Sequence, residues 1–171
     1  LIQLLDGLSF YDSLDSVVGL AIQELEKFEE SQLRAKIGCD IFNAAGLAYL
    51  SSDKNKALIS FLCVKQLLDK FLPKEEKALM AYYCNMGLAY SKIDFEKANQ
   101  FLQEALEREK QYYGEYSMEV ADVYHNIGKN YLSISDYENA SFYLEKALQI
   151  KRTKSECTYS CLLYTSPSPR D

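Results

Sequence analysis

Three glycines at a fixed interval constrain the fold of this chain more than any other feature. Gly46, Gly87 and Gly128 are spaced 41 residues apart, and a tyrosine follows each of them by three residues. The tetrapeptide Gly-Leu-Ala-Tyr even recurs verbatim at 46–49 and 87–90. A period of about 20 to 50 residues is typical of proteins in which similar units pack against their neighbours. The sequence therefore predicts a repeat array.

Each unit shows the pattern of two successive helices. In the last unit Tyr124, Gly128 and Tyr131 share one face of a first helix, and Ala140 and Leu144 share one face of a second. The small residues Gly128 and Ala140 let the two helices approach closely, while larger side chains fill the space around them. An aspartate recurs at the start of each second helix, where its carboxylate can accept hydrogen bonds from unpaired backbone N–H groups. These aspartates are Asp53, Asp94 and Asp136.

This order of small, aromatic and aliphatic residues resembles the tetratricopeptide repeat over about residues 39–155. The interval of 41 residues exceeds the roughly 34 of the plain repeat, so each second helix is expected to run about two turns further. The longer form is similar to the repeats of kinesin light chains. That likeness is carried by Gly114, Val120, Ala121, Asn126 and Gly128, whereas Ser117 and Met118 stand where this subtype usually has histidine and proline.

The resemblance implies an all-α fold, namely a right-handed α-solenoid of antiparallel helix pairs in a TPR-like superhelix. We predict three repeats within residues 36–155, at about 36–73, 74–114 and 115–155. Residues 1–35 follow the pattern poorly, so they are predicted to form a degenerate helical pair or a partial repeat.

The two ends of the sequence suggest a fragment. The first residue is a leucine within an apolar pattern, and residues 156–171 are predicted to form a disordered tail. The last eleven residues, CLLYTSPSPRD at 161–171, resemble a translated sequencing adaptor and are expected to be artefactual. The alternative is a natural Ser-Pro linker.

Charge and cysteine usage exclude several classes of protein. The net charge is −6, and lysine and arginine are interspersed with aspartate and glutamate, whereas a nucleic-acid-binding surface would carry a basic stripe. No run of about 18 apolar residues occurs, so no membrane span is predicted. The five cysteines form no C-x-x-C pair, which argues against a disulfide framework and a zinc site. We predict no metal, no cofactor and a reducing, cytoplasmic compartment.

The sequence offers no recognisable catalytic constellation. His125 is the only histidine, so any catalytic triad with a histidine base would need it. By repeat register, however, it is equivalent to Asn43 and Cys84 on the inner face of a first helix. The nucleotide-binding and metalloprotease motifs G-x-x-x-x-G-K-[ST], G-x-G-x-x-G and H-E-x-x-H are absent. We therefore predict no catalytic residues and no enzyme activity.

The resemblance places the binding surface on the concave face, which the first helix of each repeat lines. Some members of the family hold a carboxylate there with polar side chains, but Leu47 and Leu88 replace those donors. We therefore expect an apolar or amphipathic segment to bind. The alternative is that these leucines pack against a neighbouring repeat or against a helix that is missing from the fragment. The candidate residues are Asn43, Leu47, Leu50, Cys84, Leu88, Ser91, His125, Lys129 and Leu132.

Two functions agree with these features. The first is a non-catalytic scaffold that binds a peptide or a helix of a protein partner on the concave face. The second is the regulatory or sensory region of a larger enzyme, or of a switch protein that a peptide controls. An additional domain in the full-length gene would favour the second function.

Overall fold

The computed structural model describes residues 19–21, 23 and 31–165, and for residues 155–165 it describes the helical backbone alone. Six helices and no strand lie between residues 31 and 165. The predicted all-α class is thereby confirmed, whereas most of the degenerate pair predicted for residues 1–35 lies outside the described residues. The helices are α1 (Ser31–Tyr49), α2 (Lys54–Phe71), α3 (Glu76–Tyr90), α4 (Phe95–Tyr113), α5 (Met118–Ser133) and α6 (Tyr137–Thr165).

The chain forms two compact units, residues 1–90 and residues 91–171. The first contains α1, α2 and α3, and the second contains α4, α5 and α6. The division falls in the turn after α3, inside the second predicted repeat. The repeat boundaries at about residues 73 and 114 remain predictions.

In the first unit, α1 and α2 form an antiparallel pair and α3 packs against both. The pair is closest at Gly46, where an added Cβ would lie 2.3 Å from Cε1 of Phe61. Phe61 has no solvent exposure, so its ring fills the space that the absent side chain leaves. α3 runs parallel to α1, because Lys36 Nζ lies 2.6 Å from Glu75 Oε1 at one end of the two helices and Asn85 approaches Asn43 further along.

In the second unit, α5 packs against both α4 and α6. The ring of Tyr131 meets the edge of Phe95 from α4, with centroids 5.2 Å apart, and stacks on Tyr143 of α6 at 5.5 Å. At the other end of α5, Asp122 pairs with Lys151 at 2.7 Å. Because the end of α5 contacts the start of α6, and the start of α5 contacts the later part of α6, the two helices form a second antiparallel pair.

The three recurring aspartates begin the second helices, as predicted. Asp53 accepts hydrogen bonds from the backbone N–H groups of Asn55 and Lys56, and its φ of −147° is extended. Asp94 accepts from the N–H of Lys97, and Asp136 accepts from the N–H of Asn139, each at 3.1 Å. Each carboxylate satisfies backbone donors that the first turn of a helix leaves unpaired.

The last described helix is longer than the sequence suggests. α6 continues to Thr165, so the disorder predicted from residue 156 is wrong for residues 156–165, while residues 166–171 lie outside the described residues. Neither glycine nor proline occurs between Ser155 and Thr165, and extending an existing helix costs far less than nucleating one. The sequence places Pro167 two residues later, and helices usually end before the residue that precedes a proline.

Substituting the buried glycine should destabilise the first unit. In Gly46→Ala the new Cβ meets the enclosed Phe61 ring, so we expect a loss of about 1–3 kcal/mol in the free energy of unfolding. Gly128→Ala should cost less, because Leu144, whose Cγ would lie 2.7 Å away, is only half-buried and can shift, and the carbonyl oxygen of Ala140 would lie 3.2 Å away, which requires a movement of a few tenths of an ångström. Urea unfolding measures both, and Gly19→Ala in a helical residue with no atom within 4 Å of the added Cβ is the control for the gain in helix propensity alone. Equal costs for Gly46→Ala and Gly128→Ala would contradict this account.

The N-cap residue of α4, Asp94, should make the free energy of unfolding decrease in acid. The hydrogen bond from the Lys97 N–H lowers the pKa of Asp94 below 3.8, so its charge stabilises the fold above that pH. This contribution is lost as the pH falls through the lowered pKa. Asp94→Asn keeps an N-cap acceptor without the charge. The difference in unfolding free energy between wild type and variant should be constant near neutral pH and shrink in acid, and a difference that stays unchanged down to acid unfolding would refute the assignment.

Candidate functional site

Five candidate residues lie in the first unit, on α1, on α3 and just beyond the end of α1. Asn43 is half-buried, and Leu47, one turn later on the same face, keeps 48% of its surface exposed. The described neighbouring helices therefore leave about half of the Leu47 side chain uncovered. Cys84 and Leu88 on α3 are half-buried, as is Leu50.

A hydrogen bond between two amides joins α1 to α3 at this face. Asn85 Nδ2 donates to Asn43 Oδ1 over 3.1 Å. This bond uses one of two donors on Asn85 and one lone pair on Asn43, so each side chain retains further hydrogen-bonding capacity. Sequence reasoning selected Asn43 but missed Asn85. A signal was present, because Asn85 and Asn126 occupy equivalent positions 41 residues apart.

The other four candidates lie in the second unit. His125, Lys129 and Leu132 are all exposed on α5, with Leu132 at 43%. Their spacing of four and three residues places them on one helical face. The opposite face of α5 is buried, since Ile127 has no exposure. Ser91 lies outside any helix, just after α3, and is half-buried.

The buried thiols are poorly suited to nucleophilic chemistry. Burial raises the pKa of Cys39 to about 11, with Asp40 and Glu75 adding to the effect, and burial also raises the pKa of Cys63 to about 11. The reactive species of cysteine is the thiolate, which is scarce at neutral pH in such sites. Among the residues that the structure describes, no group of three or more His, Cys, Asp or Glu side chains could hold a metal ion.

Comparison with known protein families supports the interpretation of the repeats. Residues 77–153 match the model of the family described as tetratricopeptide repeat. Residues 77–153 are therefore of the tetratricopeptide-repeat type. No curated protein and no solved structure matches the chain significantly.

The tetratricopeptide repeat match begins in α3 and ends within α6. It therefore includes most of the second and third predicted repeats. The first predicted repeat, formed by α1 and α2, rests on its sequence pattern and its antiparallel pairing, and the kinesin-light-chain-like subtype remains a prediction. Within the part of the chain that the structure describes, no helix is both long and apolar enough to span a membrane.

Thiol reactivity should separate the candidate face from the interior of the repeats. Cys84 is half-buried, whereas Cys39 and Cys63 are buried. Because each of the two buried thiols has a pKa of about 11, about one in a thousand of each is a thiolate at pH 8. In a Cys157→Ser/Cys161→Ser background, Ellman's reagent should modify one thiol of the native protein, and two more after denaturation. Adding Cys84→Ser should remove the fast reaction. Native modification of Cys39 or Cys63 at a comparable rate would contradict the burial.

Proposed function

We propose that this chain is a non-catalytic scaffold that binds an extended peptide or a helix of another protein. Tetratricopeptide repeats generally mediate protein–protein interactions, which supports the general class of function. The proposal is specific about the surface, which we name the α1–α3 patch. It consists of Asn43, Leu47, Asn85 and Leu88.

The amide pair is the observation that carries this proposal. Asn85 and Asn43 hold one another across two parallel helices, which fixes the direction of both side chains. Their remaining donors and acceptors suit the backbone of a bound segment, because each peptide group presents one N–H and one C=O. Pre-oriented side chains also lower the entropy cost of binding.

The apolar part of the patch selects the chemistry of the ligand. Leu47 is 48% exposed beside the amide of Asn43, so an apolar side chain of a ligand would remove its surface from water. No lysine or arginine belongs to the patch, which disfavours a ligand held chiefly by its carboxylate. An amphipathic segment with hydrogen-bonding groups near an apolar residue fits best.

The exposed face of α5 is a second recognition surface, in the second unit. Lys129 gives it a positive charge, His125 adds a polar imidazole, and Leu132 adds an apolar contact. Acidic or polar residues in a ligand would complement Lys129.

Peptide selection tests the α1–α3 patch. A library of random peptides is displayed against the full chain, and the affinity of enriched peptides is measured by fluorescence anisotropy. Leu47→Asp should weaken binding at least tenfold, because a carboxylate would be desolvated against the ligand, and Asn85→Ala should weaken it about fivefold through a lost hydrogen bond. Ile59→Asp on α2, at a residue exposed to 40%, is the matched control and should leave affinity unchanged. Failure to enrich any peptide, or equal effects of Leu47→Asp and Ile59→Asp, would overturn the proposal.

A further inference from the structure

The turn between α4 and α5 carries a group of exposed large side chains, which we name the α4–α5 turn patch. The exposed fractions are 52% for Tyr112, 37% for Tyr113, 70% for Tyr116 and 43% for Met118. The rings of Tyr112 and Tyr113 meet edge to face, with centroids 4.8 Å apart. Contiguous exposed apolar patches, unlike single exposed residues, mark interaction sites.

The backbone gathers these side chains at one short bend. The N–H of Ser117 donates to the carbonyl oxygen of Gly114 over 3.3 Å, so residues 114–117 form a β-turn. Gly114 has a φ of +87°, a conformation that other residues rarely adopt. Tyr113 and Met118 directly flank this turn, and Tyr116 lies within it.

The preceding turn, between α2 and α3, shows that the repeat itself does not require such a patch. By the interval of 41 residues, Tyr113 is equivalent to Leu72, which is only 6% exposed. Two further members of the patch stand where the earlier turn has charged residues, namely Tyr116 for Glu75 and Met118 for Lys77. Packing within the repeats therefore does not account for the aromatic residues at the later turn.

Continuation of the array would not cover the patch. α5 already packs against α4, and α6 packs against α5, so the turn lies before the last described helix pair. In a repeat array each unit contacts its neighbours, and a further unit would stack beyond α6. The patch is thus an exposed surface of the units that are already in place.

The charges around the patch are predominantly acidic. Residues 107–122 contain five acidic and two basic side chains, a net charge of −3. Glu115 precedes Tyr116, and Glu119 follows Met118, and both carboxylates are on exposed residues. The surface therefore combines aromatic rings with negative charge.

The two basic side chains of this segment already have partners. Arg108 Nε donates to Glu104 Oε1 over 2.7 Å. Lys110 is hydrogen-bonded to Tyr124, which raises the pKa of Lys110, and the nearby carboxylate of Glu115 contributes to the same shift. Lys110 thus offsets part of the negative charge and leaves the segment acidic.

Aromatic rings beside carboxylates provide the two contacts that an arginine side chain makes best. The guanidinium group stacks on the face of an aromatic ring and also donates paired hydrogen bonds to a carboxylate. Arginine suits this environment better than lysine does, because its planar group is more weakly hydrated. The methylene groups of its stem can pack on apolar side chains at the same time.

We propose that the α4–α5 turn patch binds a basic, arginine-containing segment of another protein. The guanidinium groups of that segment stack on the tyrosine rings of the patch and pair with the carboxylates of Glu115 and Glu119, while their stems pack on Met118. The patch shares no residue with the α1–α3 patch, so this inference does not depend on the proposed function.

An oligoarginine peptide is the probe. A capped, fluorescent peptide of six arginines is titrated with the full chain at about 150 mM salt and followed by anisotropy. We expect saturable binding, and weaker binding of the matching peptide of six lysines. Tyr116→Ala should lower the affinity for the arginine peptide at least threefold, whereas Tyr116→Phe, which keeps the ring, should bind like wild type.

Tyr137→Ala is the matched control. Tyr137 is 69% exposed and also stands between two acidic residues, Asp136 and Glu138, but it lies outside the patch. Neither alanine substitution changes the net charge, so a difference between them reports the contribution of the rings at the turn. We expect Tyr137→Ala to bind the arginine peptide like wild type. Both substituted residues are exposed, so the fold should tolerate the changes.

Four results would overturn the proposal. One is the absence of saturable binding of the arginine peptide at concentrations up to about 1 mM. Another is an equal affinity of Tyr116→Ala and Tyr137→Ala for this peptide, which would show that net charge alone attracts it. A third is equal binding of the arginine and lysine peptides. The fourth is self-association of the wild-type chain that Tyr116→Ala abolishes in sedimentation, because this would assign the patch to a second copy.

Discussion

The close approach of two antiparallel helices at a glycine is the contact on which each repeat depends. Gly46 leaves room for the buried ring of Phe61, and Gly128 does the same for Leu144. A Cβ at either position would lie closer to its neighbour than van der Waals contact allows. Because side chains in a packed core have little room to move, this single constraint fixes how the two helices of a pair face one another. It also explains why the glycine interval sets the period of the sequence.

Once the helices of a pair are fixed, the outer face of the second helix becomes the support for the next helix. α4 supports α5 in this way, since the Phe95 ring packs against Tyr131 and Lys110 lies over the Tyr124 ring. α6 shows the same face with Leu148 exposed. Repeat proteins join units through such nearest-neighbour interfaces.

The cysteine and histidine side chains that the structure describes differ in their exposure to solvent. The thiols of Cys39 and Cys63 are buried, and burial raises their pKa values. His125 is exposed on α5. In the proposed scaffold function, the central polar contact is the hydrogen bond from Asn85 to Asn43, which orders two amides beside the exposed Leu47. Hydrogen-bonding capacity beside exposed leucine is suited to holding a segment of another protein.

The sequence alone determined the period, the helix pairs, the capping aspartates and the all-α class, because these follow from residue spacing and local hydrogen bonding. It also selected Asn43 and Leu47, which share one turn of α1. Only the tertiary structure decided that Asn85 bonds to Asn43, since that contact joins residues 42 apart in sequence. The same holds for Leu106 and Leu148, which are equivalent in sequence but differ in exposure from 3% to 47%. Burial depends on which helix lies against a face, and a residue's own helix does not encode that neighbour.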